Sequence, residues 1–139
     1  MARSSFPCEV LTPEGKLFDE EVEMVSTRSD TGGLGILANH APLMAMLEPT
    51  ELRLYKSDSD IVSFAQGEGY LQVIENSALL ILEDAHKPED LDRSELESQL
   101  KDAESSRDEA EEGTDEYQRC VREVKRLNTF LEIEQGGSS

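Results

Sequence analysis

The chain changes its grammar at Pro88. All five prolines lie at or before that residue, and beyond it only Gly113 interrupts the pattern before a Gly-Gly-Ser-Ser end. Proline removes a backbone donor and breaks helix interiors, so this boundary separates a turn-rich part from a helical one. The predicted fold is an all-β sandwich over residues 1–87, then an α-helical hairpin over residues 88–135. A short flexible tail is expected at 136–139. At 139 residues the chain can hold one modest domain with an appendage, or two small units.

In the first part, short strand candidates recur with turn signals between them. Cys8 to Leu11 ends at Thr12-Pro13-Glu14-Gly15, and Glu21 to Met24 alternates in polarity. Leu52 to Tyr55 and Ile61 to Ala65 flank the polar turn Ser57-Asp58-Ser59-Asp60, which predicts a hairpin. Tyr70 to Ile74 and Ala78 to Leu82 flank Glu75-Asn76-Ser77 and predict another. The apolar run Ala78 to Leu82 is expected to be the most buried strand. Gly32 to Leu43 is the most distinctive stretch, with three glycines before and within a strand at Leu34 to Leu37. Asn39-His40-Ala41-Pro42 then forms a tight corner.

The second part reads as two helices. Leu96, Leu100, Ala103 and Ala110 make a thin apolar stripe, interrupted by Arg107. Glu112-Gly113-Thr114 is a break, with Gly113 suited to a C-terminal cap and Thr114 to an N-cap. Tyr117, Cys120, Val121, Val124, Leu127 and Leu131 share the face of the second helix that would meet the first. Asp92-Arg93-Ser94-Glu95 fits a capping box, with Asp92 as N-cap and Glu95 reaching back.

Charge narrows the function. The chain carries 31 acidic and 13 basic residues, net -18, which argues against nucleic acid or an anionic membrane as a partner. Residues 88–116 are net -10 and residues 117–139 net +1, so the two helices are oppositely biased. Arg119, Arg122 and Arg126 recur at i, i+3 and i+7, and their face is placed opposite the apolar stripe. Cys8 and Cys120 lie far apart and are read as free thiols. No apolar run approaches the roughly 18 residues of a membrane span, and the start has neither a secretory h-region nor an Arg-rich transit pattern. His40 has no second ligand at metal spacing, and the glycines show no phosphate-binding pattern. No metal, cofactor or catalytic residue is expected.

Gly32-Gly33-Leu34-Gly35-Ile36-Leu37-Ala38-Asn39-His40-Ala41-Pro42-Leu43 resembles the Gly-x-Leu-Gly-Ile-Leu-x-x-His-Ala-Pro-Leu signature of the epsilon subunit of F-type ATP synthases. The resemblance extends to Glu9 to Gly15, Pro49, Gly67-Glu68-Gly69-Tyr70-Leu71-Gln72-Val73, Leu80 to Ala85, and Glu89-Asp90-Leu91-Asp92. It implies a ten-stranded sandwich with two helices. It also implies a non-catalytic rotor subunit of the central stalk, in an enzyme coupling proton transport to ATP synthesis. The sandwich would touch the gamma subunit and the c ring through Asp30, Gly33, Leu34, Gly35, His40 and Pro42. The helices would reach the alpha and beta subunits and restrain ATP hydrolysis, with Arg119, Arg122 and Arg126 as the docking row. The subunit would be peripheral, without membrane insertion, at the cytoplasmic face of a bacterial plasma membrane. The stromal side of a plastid thylakoid is the alternative.

Two positions depart from the family pattern. Gly33 stands where many relatives carry Glu, and Asp30 is the nearby substitute. Some relatives bind ATP through Leu/Ile-Asp-x-x-Arg-Ala. Here Leu91 and Asp92 match, but Glu95 and Leu96 replace Arg and Ala, which sets a carboxylate against phosphate. Two rival readings differ in class. One is a free-standing sandwich-and-hairpin adaptor for a basic protein, to be separated by co-purification with gamma. The other is a small hydrolase using His40 with Asp30 or Glu14, to be separated by turnover of the isolated chain.

Overall fold

The computed structural model describes residues 3–136. The chain divides into two compact units, Met1–Lys87 and Pro88–Ser139. The first holds ten strands: β1 (Phe6–Thr12), β2 (Gly15–Val22), β3 (Met24–Ser29), β4 (Gly32–Leu37), β5 (Leu43–Leu47), β6 (Thr50–Tyr55), β7 (Ile61–Gln66), β8 (Gly69–Ile74), β9 (Ser77–Leu82) and β10 (Ala85–His86). The ladder runs β10-β7-β6-β3-β5-β8-β9-β1-β2, and β4 pairs with β3. Most neighbours are antiparallel, whereas β1 runs parallel to β9, Cys8 facing Ala78 and Leu11 facing Ile81. β3 changes partners along its length. Met24 to Ser26 pair with β6, and Ser29 pairs with Leu47 of β5. The sheet thereby curls into a sandwich.

Its core is the set of inward-facing side chains. Phe6, Cys8 and Val10 alternate inward from β1, Leu71 and Val73 from β8, and Ala78, Leu80 and Leu82 from β9. Burial holds Cys8 protonated and pushes its thiol up to about 12, with Glu9 and Asp19 adding to the rise. One buried polar bridge crosses the core. The Thr27 hydroxyl donates to Gln66 Oε1 at 2.8 Å, and Gln66 Nε2 donates to the Glu48 carbonyl at 2.8 Å. The Gln66 carboxamide is thus satisfied at both ends, as a buried amide must be.

Several expectations need correction. Glu21 to Met24 is not one strand: the chain breaks at Glu23, and β2 and β3 lie on either side. The Ala78–Leu82 run buries Ala78, Leu80 and Leu82, and because it alternates it leaves Ile81 47% exposed. β5 was not read as a strand. The Glu75-Asn76-Ser77 hairpin is present, but only Glu75 and Asn76 form the loop, at φ 50 and 61, and Ser77 opens β9. Two left-handed residues match the twist of a two-residue hairpin.

The second unit starts with a 3-10 turn at Pro88–Asp90, followed by α1 (Arg93–Glu109) and α2 (Asp115–Glu134). Asp92 caps α1, accepting the Glu95 backbone N–H on Oδ1 at 3.2 Å. The return half of the capping box does not form; the Glu95 carboxylate takes the Gln99 amide instead. Thr114 caps α2, accepting from the Tyr117 N–H at 3.2 Å. The C-cap of α1 is Ala110, three residues before the expected Gly113, which adopts φ 87 within the connecting turn. The helices pack antiparallel, and Arg93 Nε meets Glu134 Oε1 at 2.9 Å where α1 begins and α2 ends. Leu96 is the only buried residue of α1, whereas α2 buries Val124, Leu127, Phe130, Leu131 and Ile133. Phe130 and Ile133 were missing from the expected stripe. Of the expected tail, Gly136 is described, and residues 137–139 lie outside the described residues.

Candidate functional site

The glycine-rich segment forms one hairpin and one corner. β3 and β4 pair from Met24–Leu37 to Ser29–Gly32. Gly32 closes the turn at φ 129, a conformation that L side chains rarely adopt. Ser29 organises this turn: its hydroxyl accepts the Thr31 N–H at 3.2 Å and donates to the Gly32 carbonyl at 3.1 Å. The Asp30 N–H bonds the Met46 carbonyl at 3.1 Å, leaving the side chain of this exposed residue outward. At the other end Asn39 turns left-handed at φ 64, and its N–H donates to Asn76 Oδ1 at 2.6 Å. The corner is thus pinned to the β8–β9 turn. His40 is exposed, and its Nδ1 lies 2.7 Å from the Ala41 carbonyl, so the tautomer protonated there donates within the corner.

Asp30, Gly33, Gly35, His40 and Pro42 are therefore surface residues of one hairpin and its exit, with Leu34 half-buried between the glycines. Among the described residues, no group of three or more His, Cys, Asp or Glu side chains is placed to hold a metal ion. No helix of the described residues is long and apolar enough to cross a membrane.

A second surface was not anticipated. On the outward face of adjacent strands β5, β8 and β9, Met44 is 70% exposed, Met46 57%, Tyr70 52%, Ile74 46% and Ile81 47%. Met46 faces Tyr70 across one ladder, and Tyr70 faces Ile81 across the next. Met46, Tyr70 and Ile81 thus form one apolar row across three strands, with Met44 and Ile74 on the same face beyond it, where Met44 faces Gln72 and Ile74 faces Ser77. The signal was present in Leu43-Met44-Ala45-Met46-Leu47 and in Ala78 to Leu82, where no polar residue marks a solvent face. An all-apolar strand without polar alternation has two faces to cover, and this sandwich has only one core.

The arginine row of α2 is more mixed than the spacing suggested. At 100° per residue, Phe130 and Ile133 fall in the same sector as Arg119, Arg122 and Arg126. Both are buried, so that sector is not a wholly solvated face. Arg126 lies over the Phe130 ring, 4.7 Å from its centroid, and pairs with Glu123 at 2.7 Å. Arg122 is exposed. Arg119 borders a groove of about 470 Å³ between the helices, lined also by Asp102, Ala103, Glu116, Cys120 and Glu123. The three arginines thus have three different surroundings. Asp92 stands apart from them, engaged as the cap of α1.

Comparison with known proteins agrees with this geometry. Residues 5–88 match the family model described as ATP synthase, Delta/Epsilon chain, beta-sandwich domain. The ATP synthase epsilon chain of Priestia megaterium is 38% identical over 95 residues, covering 68% of this chain and 70% of that one. That of Halalkalibacterium halodurans is 31% identical over 124 residues, covering 89% and 92%. In fold, the whole chain superposes on 84% of a chain in the Euglena gracilis mitochondrial ATP synthase OSCP/F1/c-ring structure, with TM-score 0.80 at 15% identity. It also superposes on a full chain of the Tetrahymena thermophila mitochondrial ATP synthase central stalk and c ring, with TM-score 0.60 at 14% identity. A sandwich with this signature, continued by a capped helical hairpin, belongs to the ATP synthase epsilon-chain family.

Proposed function

We propose that the chain acts as a non-catalytic central-stalk subunit of a proton-translocating ATP synthase. The sandwich fastens it to the rotor, and the helices restrain ATP hydrolysis. The observation that carries this reading is the apolar patch of Met44, Met46, Tyr70, Ile74 and Ile81. A monomeric surface rarely leaves so many large apolar side chains side by side, and permanent interfaces bury such faces. The patch is the gamma-facing surface in this reading. The β3–β4 hairpin and corner, with Asp30, Gly33, Leu34, Gly35, His40 and Pro42, face gamma and the c ring. The subunit is peripheral, on the cytoplasmic side of a bacterial membrane or the stromal side of a plastid one.

Met46→Asp together with Ile81→Asp tests the reading. Both side chains are already solvent-facing, so the free chain should keep its unfolding midpoint while reassembly with epsilon-depleted ATP synthase is lost. Undiminished assembly of this variant would remove the patch from the interface.

The helical unit regulates through α2 in this reading. Arg119, Arg122 and Arg126 reach acidic surfaces of the alpha and beta subunits when the hairpin opens. Each exposed ion pair contributes about 0.2–1 kcal/mol, so the row acts as a set. Replacing all three by alanine should leave assembly intact and raise ATP hydrolysis by the complex, with a smaller effect at high salt. ATP itself binds weakly in this reading. One oxygen of Asp92 is committed to the α1 cap, and Glu95 puts a carboxylate where phosphate would need a cation. Calorimetry on the isolated chain checks this: micromolar affinity at ordinary salt would contradict it.

A further inference from the structure

The sheet protects its margins unequally. β2 pairs only with β1, and Lys16, Asp19, Glu20 and Glu21 charge that margin. β10 has two residues, too few to template another strand. β4 pairs with β3 alone, and among the described residues no strand runs along its second edge. Its sequence, Gly-Gly-Leu-Gly-Ile-Leu, holds no charge in a chain where 32% of residues are charged. Open edges are normally blunted by charge, shortness, proline or a bulge, and β4 has none of these.

Its glycines add a second observation. Gly32 is required by the turn, but Gly33 and Gly35 have ordinary negative-side φ values, and a Cβ on either would meet nothing within 4 Å. Gly67 and Gly69 differ: there a Cβ would collide with the Asp84 carboxylate and the Ile81 carbonyl. Glycine weakens a strand interior, so Gly33 and Gly35 are a cost that this fold does not explain.

We propose that β4 accepts an extended segment of a partner chain along its open edge. That segment carries bulky apolar or aromatic residues at alternate positions, which lie over Gly33 and Gly35. Strand addition uses main-chain hydrogen bonds for affinity and alternate side chains for specificity. Edge glycines are stabilised when a large cross-strand residue covers them. Leu37, 46% exposed on the same outward row, continues the apolar contact beyond Gly35. A second copy of this chain is the wrong occupant. Its own β4 would offer glycines against glycines, and a net charge of -18 on each copy opposes association.

The inference rests on the stalk-subunit reading, because the assembly supplies the segment. It is tested by reconstituting epsilon-depleted ATP synthase with wild-type chain and with Gly33→Thr/Gly35→Thr. Threonine suits a strand and here meets open space. The free variant should unfold at the same or a higher midpoint, while its affinity for the complex falls at least about tenfold. In the wild-type complex, hydrogen exchange at β4 amides should slow relative to the free chain. Equal affinity of a folded variant overturns strand addition, as does unchanged exchange at β4 in the complex. If the variant fails to fold, the exchange measurement decides alone. Dimerisation of the free wild-type chain through β4 would also overturn the assigned occupant. Failure of the wild-type chain to bind overturns the stalk-subunit reading instead.

Discussion

In the sandwich, each of the nine long strands contributes at least one buried apolar side chain, and many of these are fully enclosed. In the helical unit α1 contributes Leu96 alone, and five buried residues of α2 supply the rest. The sandwich core is thus shared among many strands, so its packing is cooperative and rigid. The hairpin depends on one helix. α1 is acidic, with Leu100, Ala103, Glu104 and Arg107 half-buried and its other charges exposed, and it is held by caps and a narrow seam. An element of this kind opens locally at low free-energy cost, whereas the sandwich opens only with the whole domain.

The largest test of this contrast compares equal truncations. Leu80→Ala, at a fully buried site between β1 and β8, should lower stability by about 2–5 kcal/mol in denaturant unfolding. Leu100→Ala, on the half-buried α1 seam, should cost about 1 kcal/mol or less. Equal losses would break the contrast. A chain ending at Lys87 should then keep a cooperative unfolding transition by circular dichroism; loss of that transition would show that the two units stabilise each other.

The helix caps give a smaller effect. Thr114→Ala removes the side-chain acceptor for the Tyr117 N–H and should cost about 1 kcal/mol. Hydrogen exchange should quicken in α2 and stay unchanged in β8 and β9. Quickened exchange in both would mean that the helices do not open independently.

An effect confined to alkaline solution, and absent at neutral pH, comes from Cys8. Its thiol is raised from 9.0 to about 12, so the folded state holds a proton that the unfolded state releases. That contribution is fully present below pH 9 and is lost as pH rises towards 12. Cys8→Ala should flatten the decline of sandwich stability across that window, while the unfolding of the helices keeps its own pH dependence. An unchanged slope would show that Cys8 does not govern the alkaline limit.

The β-then-helical plan was legible because proline and glycine placement is a local signal. So were the caps, since Asp92 and Thr114 act within three residues of themselves. Strand partners were not legible. Glu21 to Met24 alternates correctly, but the break at Glu23 depends on Met24 and Val25 pairing with Tyr55 and Leu54, far along the chain. β5 was missed because Leu43 to Leu47 lacks the polar alternation that marks a half-exposed strand. The same absence marks the apolar patch, and one-dimensional periodicity cannot separate a buried run from one covered by a partner. Phe130 and Ile133 fell outside the expected stripe because a single helical face was assumed along all of α2.

The parallel pairing of β1 with β9 sets an order on synthesis. Cys8 leaves the ribosome early, but its ladder neighbour Ala78 belongs to β9, the last long strand of the sandwich. Until that strand emerges, β1 has only the β2 hairpin to hold it, and its other edge stays open. Such non-local pairing is slow to form and exposed to misassembly. The sandwich therefore closes only when almost all of it has been made. The helices come last, after a domain that already has every strand it needs.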